Sequence, residues 1–333
     1  MNTIEIQKQI FQFIKTKLPA EASAADEVAK LLGISNDSAY RRMRGEKLIT
    51  FEELFILCTN YKISLDQLMN IQNGSFLFQG NFVNPHSYSF EQYLTSVMNT
   101  LAYFNSFKKK TMFYSCKDMP IFHHFHFRDI AAFKWFFWLK TFIQFPEFAN
   151  RKFRFSDYPD SLFEIDQKVL ELYNAIPSIE IWNIESMNIF IRQIEFCRDS
   201  EIIESDEDIH RLYSALEKTW DHLEDQAAEG HKFSVNDPGK KPLGEYKVYF
   251  NEVLLGDNSL LAVIDNTKVA VLTHSSFNYM MTRDVAFTEN IYTHFQNQMK
   301  RSTLISEVSE KERGRFFRIT RERIEKRKET LKV

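Results

Sequence analysis

Apolar residues recur at helical spacing from the start of the chain. Ile6, Ile10, Phe13 and Ile14 form one stripe, ended by Pro19, and predict a first helix. Between Asp26 and Lys47 (DEVAKLLGISNDSAYRRMRGEK) the pattern breaks into two short pieces. Val28, Ala29, Leu31 and Leu32 make an apolar face that Gly33 stops, since a helix end commonly needs one residue in the left-handed conformation. Ile34 follows as a buried plug, and Ser35 or Asn36 suits the N-cap of a second helix running to about Arg44, with Gly45 as its stop. Ala29 is small where these two helices would cross closely. Thr50 and Glu53 then form a capping box that opens a helix with Leu54, Leu57 and Cys58 inside. Tyr61 and Ile63 precede a second box, Ser64 to Gln67, and a short last helix with Leu65, Leu68 and Met69. The expectation for residues 1–70 is an all-α unit of five helices.

Residues 71–86 carry Gly74, Gly80, Asn81 and Pro85 and read as a linker, although Phe76, Leu77 and Phe78 argue that it packs against something. Beyond it, residues 87–333 alternate the two periodicities. Helical stripes cover Phe90–Lys109, Ile165–Ile176, a segment ending near Arg198, Asp206–Glu229, Arg283–Arg301 and a charged stretch from Glu307. Ile130–Phe145 is apolar all round, as expected of a helix at the centre of a core. Strand-like runs are Thr111–Ser115, Ile179–Trp182, Tyr246–Leu255, Leu260–Ile264 and Val269–Thr273, with Asp265-Asn266-Thr267 as the turn of a hairpin. The second region is therefore expected to be α+β, mostly helical, with a small sheet.

Composition sharpens this. The 333 residues suffice for two domains, and 32 Phe with only 9 Gly and 8 Pro favour a helical, well-packed chain. Cys58, Cys116 and Cys197 are far apart and form no CxxC, which fits reduced thiols in a cytoplasmic protein. The N-terminus lacks the apolar core of a signal peptide, and Ile130–Phe145, interrupted by Lys134 and Lys140, is too short to span a bilayer, so no membrane partner is expected. A net charge of −3 excludes a uniformly basic nucleic-acid binder; any affinity for DNA must come from a local patch.

One such patch exists. In the helix from Asn36 to about Arg44, Ala39 and Met43 are four apart and can pack inward. That leaves Asn36, Asp37, Tyr40, Arg41 and Arg44 facing out. Polar residues at the helix start suit base edges and the basic far end suits phosphate; Arg41 can pair with a guanine edge and Asn36 with an adenine edge. The plainer reading is a solvated helix face. The order VAKLLGIS, a polar helix ending RGEK, then FEELFILCTNYKISLDQLM resembles the Cro/repressor-like (XRE) family of helix–turn–helix regulators over roughly residues 4–70. The resemblance implies a five-helix DNA-binding domain with Asn36, Asp37 and Arg41 at base-reading positions and Ser38 and Arg44 at phosphate-contacting ones; Tyr40 and Lys47 complete the candidate DNA-binding set. Two positions depart from the family pattern. Ala25 stands where a polar residue is usual, removing a backbone contact, and Arg42 stands where an apolar packing residue is usual, so it either lies partly buried or turns out toward phosphate. A helix–turn–helix followed by a long aromatic-rich region also resembles the order met in bacterial regulators.

Other chemistry is weaker. Cys116, His123, His124 and His126 cluster in sequence, and on a strand His124 and His126 would share a face, but no partner stands at finger-like spacing; a packed histidine cluster is the expectation, with no metal. Thr273-His274-Ser275-Ser276 follows a strand without a nucleophile elbow, and no P-loop, GxGxxG, HExxH or EF-hand loop is present, so neither an enzyme nor a cofactor is implied. Lys311–Lys332 has ten Lys/Arg against four Glu and reads as a solvated helix or one balanced by the acidic 199–208 segment, with DNA phosphate as the alternative. The aromatic helix can line a pocket for an apolar small-molecule effector, though rings at helical spacing are more often plain core. The resulting expectation is a transcriptional regulator that binds double-stranded DNA as a homodimer, with residues 87–333 for dimerisation or sensing. The alternative is an interaction or scaffold protein whose repressor-like domain binds a protein partner.

Overall fold

The computed structural model describes residues 2–18, 22–65, 76–80, 82–253, 255–274 and 278–331. The chain divides into two compact units, Met1–Leu77 and Phe78–Val333. It is α+β overall.

In the first unit α1 (Thr3–Lys17) begins at a capping box of Asn2 and Glu5. Next, α2 (Ala24–Leu32) starts two residues before Asp26 because the Ser23 side chain caps it, and it ends at Gly33 with φ +65°. Ser35 caps α3 (Asn36–Met43), and the Thr50–Glu53 box caps α4 (Phe51–Tyr61). Ile10, Phe11 and Ile14 of α1 meet Val28, Ala29, Ala39, Leu57 and Ile63 in one core. Phe11 rather than Phe13 takes the deep position. The expected Pro19 stop, the Ser64–Gln67 box and the last helix with Leu68 and Met69 fall wholly or partly outside the described residues.

Arg42 is buried. It is 4 % exposed, and its guanidinium makes a two-point contact with the Glu53 carboxylate at 3.0 and 2.7 Å while donating to the Ser38 carbonyl at 3.1 Å. Glu53 also accepts from the Thr50 N–H at 3.0 Å, so one carboxylate holds both the cap of α4 and the end of α3. The Arg42 bond, set against burial, holds that carboxyl below its ordinary value. Breaking a paired charge leaves the other without a partner. A double-mutant cycle of Arg42→Ala and Glu53→Ala is therefore expected to give a coupling of about 1–3 kcal/mol in urea unfolding; additive losses would contradict this account of the pair.

The second unit is built on a seven-stranded mixed sheet, larger than the small sheet expected from the sequence, in the order β6-β5-β4-β1-β2-β3-β7. Its strands are β1 (Lys110–Cys116), β2 (Ser178–Trp182), β3 (Tyr246–Phe250), β4 (Ser259–Ile264), β5 (Thr267–His274), β6 (Asn278–Thr282) and β7 (Thr303–Leu304). β1, β2 and β3 run parallel, Met112 facing Ser178 and Ser178 facing Tyr246, while β4 to β7 pair antiparallel. Successive parallel strands advance in one direction, so crossovers of one hand put the intervening helices on the same face. These are α6 (Ile121–His124), α7 (Arg128–Phe137), α8 (Asp160–Asn174), α9 (Ile184–Asp199) and α10 (Asp206–Glu229), joined there by α5 (Phe90–Asn105) and, after α11 (Val285–Lys300), by α12 (Glu310–Lys328). The other face is covered by α11 through Phe295 and its neighbours, packed on Phe113, Ile181 and Leu261.

Four expectations change. Ile130–Phe145 is not one helix: α7 passes into a π-helical turn, Trp138–Phe142, in which the Ile143 N–H reaches the Trp138 carbonyl. β6, with only Tyr279-Met280-Met281 between two polar residues, is a strand beyond those expected from the sequence. The second half of the expected linker belongs to the sheet unit, where Gln79 pairs with Met281 across the open edge of β6. Gly80 is required there, since a Cβ would lie 2.6 Å from the Tyr279 carbonyl. The basic helix α12 is neutralised within the unit, but not by residues 199–208. Arg321 meets Asp221 and Glu224, Arg323 meets Glu185, Arg327 meets Glu195 and Lys328 meets Glu217. Among the described residues no helix is long and apolar enough to cross a membrane.

Candidate nucleic-acid interface

The outward face of α3 and the turn that leaves it carry the candidate residues. Asn36, Asp37, Tyr40, Arg41, Arg44 and Lys47 are exposed and Ser38 is half-buried, whereas Ala39 is fully buried and Met43 packs on the core. The face is held from three sides. At its start the Ser35 hydroxyl caps the Ser38 N–H and donates to the Ser38 hydroxyl, and Asn36 Nδ2 donates to Asp26 of α2 at 2.7 Å. At its end Arg44 Nε lies 3.1 Å from Glu46, and Arg41 Nε lies 4.0 Å from the same residue. Both guanidinium groups are more than half exposed, so these pairs are weak and release them to a stronger anion at a cost below about 1 kcal/mol.

From beneath, Gln7 fixes the exit of α3. Its side-chain amide donates to the carbonyls of Arg42 at 2.6 Å and Lys47 at 2.8 Å and accepts from the Ile49 N–H at 3.0 Å. This buried glutamine thereby sets the backbone path that carries Arg44 and Lys47. Sequence reasoning passed over it as a polar residue between Ile6 and Ile10, yet 7, 11 and 14 share the inward face of α1. Close by, α4 leaves Phe51 84 % and Phe55 66 % exposed, four apart on one face.

The histidine cluster is elsewhere and differently built. His123 and His124 lie on α6 and His126 follows it, so no strand face joins His124 to His126. Fully buried Glu180, at the middle of β2, is the hub: it accepts from His123 Nε2 at 3.0 Å, Trp182 Nε1 at 2.8 Å, Tyr246 at 2.7 Å and Tyr173. Burial pushes its carboxyl up, but His123 and the tyrosine hydroxyls outweigh burial and bring it to about 2. An ionised carboxylate only accepts, so His123 Nε2 carries the proton. His123 Nδ1 faces His126 Nε2 at 3.4 Å, and the His126 ring lies 4.6 Å from that of His222. Cys116 lies buried on β1, its Sγ 3.7 Å from the Tyr114 carbonyl. Among the described residues no three His, Cys, Asp or Glu are grouped to hold a metal. Ser275 and Ser276, beyond β5, are outside the described residues. Compared with known proteins, the chain matches no family model, no curated protein and no solved structure.

Proposed function

We propose that the chain is a sequence-specific DNA-binding transcriptional regulator of Cro/repressor-like type, in which α2, the Gly33 turn and α3 act as a helix–turn–helix. What supports this most is the outer face of α3: a capped helix presenting Asn36, Tyr40, Arg41 and Arg44 to solvent over a buried Ala39, with its far end pinned by Gln7. In this reading α3 enters the major groove. Asn36, Asp37 and Arg41 meet base edges, while Ser38, Arg44 and Lys47 meet phosphate, with Tyr40 between them. Glu46 hands Arg41 and Arg44 to the DNA. So small a reading head buries too little surface for strong discrimination, which implies a homodimer on two half-sites about one helical turn apart, with the second unit supplying dimer contacts or signal sensing.

Arg41→Ala is expected to weaken specific binding about 10- to 100-fold and to relax preference at one base pair. Arg44→Ala is expected to weaken all duplexes alike and to reduce the slope of log affinity against log salt by about one. Electrophoretic or anisotropy titrations at several salt concentrations read both. Equal, salt-insensitive affinity of both variants and the parent would count against the reading. The exposed Phe51 and Phe55 favour a second reading, in which the same helical unit docks a protein partner; there the two Arg variants would be silent and Phe51→Ser/Phe55→Ser would abolish the interaction.

A further inference from the structure

The sheet face that carries Tyr114, Leu260 and Val271 does not close fully against α5 and α6. A cavity remains there, with about 80 Å3 open to the centres of water-sized spheres. A single water needs about 10–15 Å3 on that measure, so the space suits about five to eight water-sized groups. Its walls are mainly apolar and aromatic: Val97 and Leu101 from α5, Tyr114 and Leu260 from the sheet, and Trp138 from the π-helical turn. Half-buried Thr100, Ile121, Thr273 and Tyr279 border it, so it is reachable from solvent.

One wall residue is out of keeping with its surroundings. His124 is 2 % exposed, and neither of its ring nitrogens has a hydrogen-bond partner among the described residues. A buried polar group without a partner is destabilising. Burial, then the nearby charges of Lys134 and His123, hold the ring far below the ordinary histidine value, so it is neutral and offers one donor and one acceptor. The charge around the cavity selects the ligand class. Asp118 stands in the lining, bonded by the Asn258 side-chain amide, and disfavours an anion. Lys134 balances the Asp118 charge, but its Nζ is engaged with Gln193 at 2.8 Å above the Trp138 and Phe190 rings and it is not part of the lining, so a ligand carboxylate would meet no cation there.

We propose that this cavity is a binding site for a small, neutral, ring-bearing molecule of about six to ten heavy atoms whose hydroxyl or carbonyl group bonds His124. The ring takes the apolar walls and the polar group satisfies the imidazole. This does not depend on the DNA-binding reading, and binding is measured without DNA.

The test titrates the full chain with phenol, benzene and benzoate, using calorimetry and ligand-observed NMR. Phenol is expected to bind saturably with a Kd below about 1 mM, benzene more weakly, and benzoate not at all. His124→Phe keeps the ring and removes the nitrogens; it should weaken phenol about tenfold and leave benzene unchanged. Val97→Trp, which fills the space, should abolish both. No saturable phenol binding by the folded parent chain would overturn the proposal. So would phenol binding that His124→Phe does not alter, an outcome that stands even if Val97→Trp does not fold.

Discussion

Glu180→Ala is expected to cost the second unit about 3–5 kcal/mol, the loss that follows when a buried charge is removed from its partners. The substitution leaves four donors facing a void: the His123 ring, the Trp182 indole, and the Tyr173 and Tyr246 hydroxyls. They come from α6, β2, α8 and β3, so the carboxylate ties two helices of the β1–β2 crossover to strands β2 and β3. For a unit of this size the melting temperature should fall by about 10 °C. Glu180→Gln should fall between, because its amide presents two N–H groups to groups that already donate. Calorimetric or circular-dichroism melts of the full chain decide it; a loss below about 1 kcal/mol would show that the donors find other partners.

The second large effect is on pH. Burial, then the charges of His222 and His123, hold His126 far below its ordinary value; burial and His123 bring His222 to about 4; and His124 is likewise depressed. Below about pH 6.5 the unfolded chain therefore binds three protons that the native chain refuses, and stability is lost as pH falls. Asp166 works in the opposite sense. Burial, resisted by its bond from Tyr158, raises its carboxyl to about 8, so between its unfolded value and pH 8 the native state holds an extra proton. Burial also raises Asp118, in the same sense. Lys232 and Lys134, lowered by burial to about 7 and about 8, are charged in both states below pH 6.5 and drop out. The balance rises from near zero at pH 6.5, where the unfolded histidines are half protonated, to about one proton near pH 5, worth about 1.4 kcal/mol per pH unit, so stability should fall by about 1–2 kcal/mol from pH 6.5 to 4.5. Further acidification toward pH 2 adds the loss of the Glu180 interactions, whose carboxyl is depressed. Urea midpoints unchanged or rising between pH 6.5 and 4.5 would contradict this assignment of buried neutral histidines.

How much of this was legible in the sequence depends on whether one side of an element meets water. For α10 the reading Asp206–Glu229 matches the structure, because an acidic first turn, a helical stripe and Gly230 mark it locally. The Gly33 turn, the Ser35 cap and the Thr50–Glu53 box were equally local. In FHHFHF, by contrast, the first five positions are buried and the last half-buried, so alternation of Phe and His carries no information about which side faces the core, and a short helix stands where the pattern suggests a strand. Ile130–Phe145 had the same defect: uniform apolarity showed a central element but not its π-helical turn. The parallel pairing of β1, β2 and β3 joins residues more than sixty apart in sequence and has no local signature. Nor did the sequence show that Glu180, between two isoleucines, would be wholly buried. At the candidate interface the outward set on α3 was readable from spacing alone. The burial of Arg42, the Gln7 clamp and the sharing of Glu46 by two arginines needed the tertiary arrangement.

The central claim is that α3 reads DNA sequence. Selection of bound molecules from a random duplex pool, with the full chain at near-physiological salt, tests it most directly. The account predicts enrichment of an inverted repeat with half-sites about one helical turn apart, lost in Arg41→Ala. No enriched sequence from protein shown to be folded would contradict it.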